Sequence, residues 1–272
     1  MRVAIVAVAS VLLCSNALAQ VTRDSYVDAS GCSLHLKVHT PANVGASVPV
    51  IVLESGGGFD AGQWSALQPQ LAARFGAVVV SYDRPGFGTS ALPDVPYDIA
   101  EEVRNVHAAL VKLGLADRLV LVAHSYGALL AQLYASLWPD AVAGLVFLDP
   151  NSPATMVALH DLQTRPAKEG PPVTQREKAF ARIDAAIWDT LTTVYRSPIP
   201  QQIPLTVVSA EQGFFPEERQ NVAFRLTHEL LAVSVRDGRR VVAERSNHMI
   251  PAQRPDVVMD SVADILSRID PP

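Results

Sequence analysis

Apolar positions along this chain occur in two patterns. Short unbroken runs, rich in Val, Ile and Leu, cover 48–53, 77–82, 119–123, 142–148 and 203–208, and a weaker run covers 239–243. Runs of that length read as strands buried on both faces, as in a parallel sheet. Between them, apolar residues recur at helical spacing over 63–75, 98–113, 128–138, 217–231 and 255–269. In the second of these, Val103, Val106, Leu110 and Leu113 form one stripe and Asp98 stands at the cap. Pro255 suits the first turn of the last helix. Positions 34–39 alternate instead, which predicts an antiparallel edge strand with one wet face. Strand and helix alternate, so the fold class is α/β: a mostly parallel sheet with helices on both faces. The alternation breaks at 151–199, where Pro, Gly and charge cluster at 165–175 and helix resumes over 179–195. That segment reads as a small helical cap inserted into a core made of 20–150 and 200–272.

Composition adds bounds. The 272 residues are 49% hydrophobic and 18% charged, with a formal net charge of −5. This suits one soluble domain with a substantial core. Its mild acidity gives no basis for a nucleic-acid partner. Residues 1–19 have a basic start at Arg2, an apolar stretch and a small-residue site at Ala17-Leu18-Ala19. They read as a secretory signal peptide, removed after Ala19, so the product is expected to be secreted or periplasmic with no membrane span of its own. Val11-Leu12-Leu13-Cys14 hints at lipid attachment, which the bulky Leu13 disfavours. After cleavage Cys32 is the single cysteine, so no internal disulfide forms.

The chemistry concentrates where strands end. The run at 119–123 leads through His124-Ser125-Tyr126-Gly127 directly into helix, a sharp turn that lifts Ser125 above the sheet. Ala123 and Gly127, two residues to either side, are small enough for it. The Tyr126 amide lies at a helix N-terminus, where donors are unpaired. The run at 48–53 leads into Glu54-Ser55-Gly56-Gly57-Gly58, whose bare amides suit an oxyanion site. Asp149 follows the run at 142–148, and His248 follows the last strand. Asp83 opens a turn-dense loop over 83–90 and is expected to tie it down through backbone hydrogen bonds. His35 and His39 are expected at the surface of the alternating strand rather than on a metal, and His107 is expected to be structural or exposed.

Taken together, Ala-His-Ser-Tyr-Gly at 123–127, Asp-Arg-Pro-Gly-Phe-Gly-Thr-Ser at 83–90 and Ser-Asn-His at 246–248 resemble the α/β-hydrolase family over nearly the whole mature chain. The resemblance implies a Ser-His-acid triad, an acyl-enzyme, a lid and no cofactor or metal. Its residues here are Ser125 as nucleophile, His248 as base and the amides of Tyr126 and of Gly56 or Gly57 as oxyanion donors. Two departures stand out. Glu54-Ser55 replaces the His-Gly frequent in the family. Many members carry the acid after the next-to-last strand, where this chain has Glu211 and then Gly213. Asp149 instead occupies the place used by members resembling haloalkane dehalogenases, and Glu211 is the alternative acid. Dehalogenation itself is not implied, because those enzymes use Asp where Ser125 stands. The expected activity is hydrolysis of a carboxylic ester, lactone or related small acyl compound. An amidase, aminopeptidase or cofactor-free perhydrolase on the same triad and a non-catalytic binding protein are the alternatives.

Overall fold

The computed structural model describes residues 20–29, 32–45, 47–160 and 171–269. The leader at 1–19 and part of the inserted segment, 161–170, lie outside the described residues. The strands are β1 (Val21–Ala29), β2 (Cys32–Thr40), β3 (Val50–Glu54), β4 (Val79–Tyr82), β5 (Leu119–His124), β6 (Val142–Leu148), β7 (Leu205–Ala210) and β8 (Gly238–Ala243). They form one sheet in the order β1-β2-β4-β3-β5-β6-β7-β8. Pairing is antiparallel from β1 to β4 and parallel from there to β8.

The unbroken apolar runs are explained by burial on both faces. Leu119, Leu121 and Ala123 of β5 face one core, shared with Leu145 and Phe147 of β6. Val120 and Val122 face a second core, shared with Val146 and Leu148. The helices covering the sheet include α1 (Gln68–Phe75), α2 (Ile99–Lys112), α3 (Gly127–Leu137) and α9 (Pro255–Ile269). Asp98 caps α2 by accepting the Ala100 N–H at 2.8 Å.

Four expectations are corrected. The strand at 34–39 is not an edge: β2 lies between β1 and β4, and β1, absent from the sequence reading, forms the edge. His35 and His39 are accordingly buried, not surface residues. His35 is clasped between Asp83 Oδ2 and Asp24 Oδ1, each at 2.8 Å, and His39 meets Thr22 Oγ1 at 2.7 Å. The helix expected over 63–75 is split into a 3₁₀ turn at Ala61–Trp64 and α1, because Pro69 lacks the N–H needed mid-helix and starts a new one instead.

Between β6 and β7 lie α4 (Pro153–His160), α5 (Gln175–Ala185) and α6 (Ile187–Tyr195). The single helix expected at 179–195 is thus two, broken at Ala186, and α5 opens with a Thr174–Glu177 capping box. After β7 come α7 (Glu218–Ala232) and α8 (Ile250–Gln253).

Candidate active site

Ser125 sits between β5 and α3 with φ of 53°, in the left-handed region that a side chain enters only under constraint. The constraint is close packing of the turn against β3. A Cβ on Gly127 would lie 2.8 Å from the carbonyl oxygens of Glu54 and Ser55, so only glycine fits there. The backbone is pinned on its other side, where Ser125 N donates to Leu148 O at 3.0 Å and Asn151 N donates to Ser125 O at 3.0 Å.

His248 and Asp149 converge on this turn. His248 Nε2 lies 2.9 Å from Ser125 Oγ, and its Nδ1 lies 2.7 Å from Asp149 Oδ2. With the carboxylate accepting, Nδ1 carries the proton and Nε2 is bare toward the hydroxyl. Asp149 is aimed by its own left-handed backbone, φ 44°, and by Ala210 N, which donates to its Oδ1 at 2.9 Å. Glu211 is not in this set: it is exposed, and its Oε2 accepts the Arg245 N–H at 2.6 Å.

The two glycine amides differ. Gly56 N donates to Gln63 Oε1 at 3.0 Å, whereas the Gly57 and Tyr126 N–H groups have no partner among the described residues. Gly57 stands against the elbow, since a Cβ there would lie 3.4 Å from Tyr126 Cβ. Two bare amides therefore flank the Ser125 turn. Phe214 tilts over His248 with ring centroids 4.3 Å apart, and Phe180 of α5 approaches Gly57 and Gly58. Such a setting can activate a hydroxyl and stabilise a developing anion. Among the described residues no group of three or more His, Cys, Asp and Glu converges as a metal site would. A separate groove of about 200 Å³, bounded by Gln132, Ser152, Tyr195, Thr227 and Leu231, is lined by neither Ser125 nor His248.

Two further histidines, not read as site residues from the sequence, support this set. His124 Nε2 donates to the His248 carbonyl at 2.8 Å. His228 Nε2 donates to Pro150 O at 3.1 Å, while its Nδ1 accepts from Ser209 Oγ at 2.9 Å. Burial depresses both, His124 to about 3 and His228 to about 4, so each is neutral in the fold. Glu54, where the family often has His, accepts from Tyr82 Oη at 2.5 Å. Burial raises its carboxyl to about 8.

These shifts set how stability depends on pH. Below about 6.5 the unfolded chain binds protons at both histidines that the fold refuses, so stability falls as pH drops toward the folded values. Glu54 acts oppositely. The fold keeps its proton up to about 8, while the unfolded side chain loses it near 4.5, so stability falls as pH rises through that window. Burial also lowers His39 and His107 and raises the Glu102 carboxyl, so below about 6.5 the histidines oppose the two carboxyls, and above it the histidines drop out and Glu54 carries the fall. The melting temperature is therefore expected to peak near pH 6.5 and to fall by roughly 5 °C by pH 8. Glu54→Gln should flatten the alkaline limb, and a melting temperature still rising from pH 6.5 to 8 would contradict the account.

An eight-stranded, mostly parallel sheet with a strained strand–helix serine turn at its carboxyl edge defines an α/β-hydrolase architecture. Residues 51–261 match the Alpha/beta hydrolase family, and the chain belongs to it. Among curated relatives, a haloalkane dehalogenase of Mesorhizobium japonicum is 30% identical over 173 residues, 57% of this chain and 54% of that one. The pimeloyl-[acyl-carrier protein] methyl ester esterase of Edwardsiella ictaluri is 35% identical over 102 residues, 38% of this chain and 36% of that one. The chain spans about half, or less, of the length of the curated relatives it matches. Among solved structures, the haloalkane dehalogenase DatA of Agrobacterium tumefaciens C58 superposes with a TM-score of 0.66 at 18% identity, covering 92% of this chain and 97% of that one.

Proposed function

We propose that this protein hydrolyses a carboxylic ester, lactone or related acyl compound through an acyl-enzyme on Ser125. The observation that carries the reading is the continuous relay from Ser125 Oγ through His248 to Asp149, at 2.9 and 2.7 Å, beside the bare Tyr126 and Gly57 amides. His248 takes the hydroxyl proton as Ser125 attacks the carbonyl, and Asp149 fixes the tautomer and balances the imidazolium. The two amides receive the oxyanion. His248 then returns its proton to the leaving alkoxide. Water, activated by the same imidazole, cleaves the acyl-enzyme and regenerates Ser125. The inserted helices α4–α6 act as a cap that shapes the acyl pocket, and the leader at 1–19 supports an exported enzyme.

The test is labelling with a fluorophosphonate, followed by a panel of esters of graded acyl length, lactones and aminoacyl amides. Covalent adduct at Ser125 and ester turnover above amide turnover are expected. A folded protein that neither labels nor turns over any of the panel would make it a binding protein. Preference for aminoacyl amides would move it to the peptidases.

A further inference from the structure

Arg84 follows the strand β4 and is buried to 1% exposure, an unusual place for a guanidinium. Its Nη2 donates to the Gly56 carbonyl oxygen at 2.9 Å. That oxygen belongs to the same peptide unit as the Gly57 N–H, one of the two bare amides beside Ser125. The guanidinium carbon also lies 5.2 Å from the centre of the Tyr126 ring and 4.9 Å from that of Phe87, so Arg84 stacks between them. Tyr126 carries the other bare amide. One buried cation therefore touches the Gly56–Gly57 peptide that carries one bare amide and the residue that carries the other. Its counter-charge is Glu102, 3.9 Å from Nε and itself buried.

We infer that Arg84 is a positioning residue which orients and polarises the Gly56–Gly57 peptide as an oxyanion donor, an inference resting on the acyl-transfer reading above. The physics is that of hydrogen bonds in series. A charge-assisted donor on a peptide oxygen draws electron density from the amide and makes its N–H a stronger donor. Phe59 N donates to the same oxygen at 3.1 Å, which fixes the plane of the peptide with two donors on one acceptor. Gln63 occupies the preceding N–H, leaving Gly57 as the free one. The cation is kept out of water, so its field on the peptide is little screened. Burial alone would lower the ability of a guanidinium to hold its charge, but the Glu102 carboxylate opposes this, and on balance the group is held above its usual range and stays cationic.

The effect belongs to the transition state, because the Gly57 N–H meets full negative charge only when the carbonyl becomes tetrahedral. Losing Arg84 should therefore lower kcat and leave KM nearly unchanged. Loss of an entire oxyanion donor costs 10²- to 10³-fold, so weakening one should cost about 10- to 100-fold. Arg84→Met alone would strand Glu102 without its partner, so the comparison is made between Arg84→Met/Glu102→Gln and Glu102→Gln. In the full-length enzyme, kcat of the double variant is expected about 10- to 100-fold below that of Glu102→Gln, with KM within about threefold. Affinity for a trifluoromethyl ketone, which forms an anionic adduct with the serine, should fall by the same factor. The pH at half-maximal rate should not move, because His248 is untouched. Equal kcat in the two variants, or a kcat loss with unchanged trifluoromethyl ketone affinity, would overturn the inference. If neither of these variants nor the parent labels with fluorophosphonate, the acyl-transfer reading fails. If all label and kcat is equal, only the role of Arg84 fails.

Discussion

Ser125→Ala is expected to remove essentially all turnover while leaving the fold in place, a loss on the order of 10⁴- to 10⁶-fold. The hydroxyl is the only part of the residue that the substitution deletes, and its one hydrogen bond among the described residues is to His248 Nε2 at 2.9 Å. The backbone conformation, φ 53°, is imposed by the packing of Gly127 on Glu54 and Ser55 and by the hydrogen bonds to Leu148 and Asn151. None of these uses the hydroxyl, and Ala tolerates that φ about as well as Ser. The melting temperature should therefore stay within a few degrees of the parent, which separates loss of chemistry from loss of fold. The amides of Tyr126 and Gly57 remain, so a residual rate from binding and polarisation alone is expected. Turnover within about tenfold of the parent, in a preparation free of host esterase, would mean that His248 activates water directly and that Ser125 is not the nucleophile.

What the sequence made legible, and what it did not, follows from the range of the interactions. The buried strands were readable because burial on both faces leaves apolar residues at every position, as in 119–123 and 142–148. β1 was not, because only Ser25, Val27 and Ala29 face inward, and two of those are not strongly apolar. Its presence turns β2 from edge to interior and buries His35, whose partner Asp83 is 48 positions away. The choice between Gly56 and Gly57 rests on one side chain, Gln63, whose direction depends on how the 3₁₀ turn is set. Arg84 carried one signal that the sequence reading did not use: a cation two residues after a buried strand, inside a loop of small and turn-forming residues. Asp83 was expected to tie down that loop, and it accepts the Thr89 and Ala61 N–H groups, each at 2.9 Å. Ser125, Asp149 and His248 could be proposed together from sequence because Ser125 and Asp149 directly follow their strands and His248 stands in the short turn after β8. The strand fixes Ser125 and Asp149 directly, and only 244–247 separate β8 from His248.

The second large effect separates two acids. Asp149→Asn should lower turnover on the order of 10⁴-fold, and Glu211→Gln should leave it near the parent. In the native arrangement Asp149 Oδ2 accepts from His248 Nδ1 at 2.7 Å, and its Oδ1 is held by Ala210 N at 2.9 Å. An amide in that place keeps its oxygen on the Ala210 N–H and turns its NH₂ toward the imidazole. Nδ1 must then accept, so the proton moves to Nε2, which faces Ser125 and can no longer take its proton. The fold should survive, because Asn enters the left-handed region at φ 44° at least as readily as Asp. Glu211 has no such lever: its carboxylate caps the Arg245 turn from an exposed position. The position where many family members carry the acid, Gly213, admits a side chain only if Asn221 moves, since a Cβ there would lie 2.1 Å from Asn221 Nδ2. Measuring kcat for both variants at equal folded yield decides the matter. Severe impairment of Glu211→Gln with an active Asp149→Asn would transfer the acid to Glu211. It would also require the β7–α7 loop to rearrange around His248 when substrate binds.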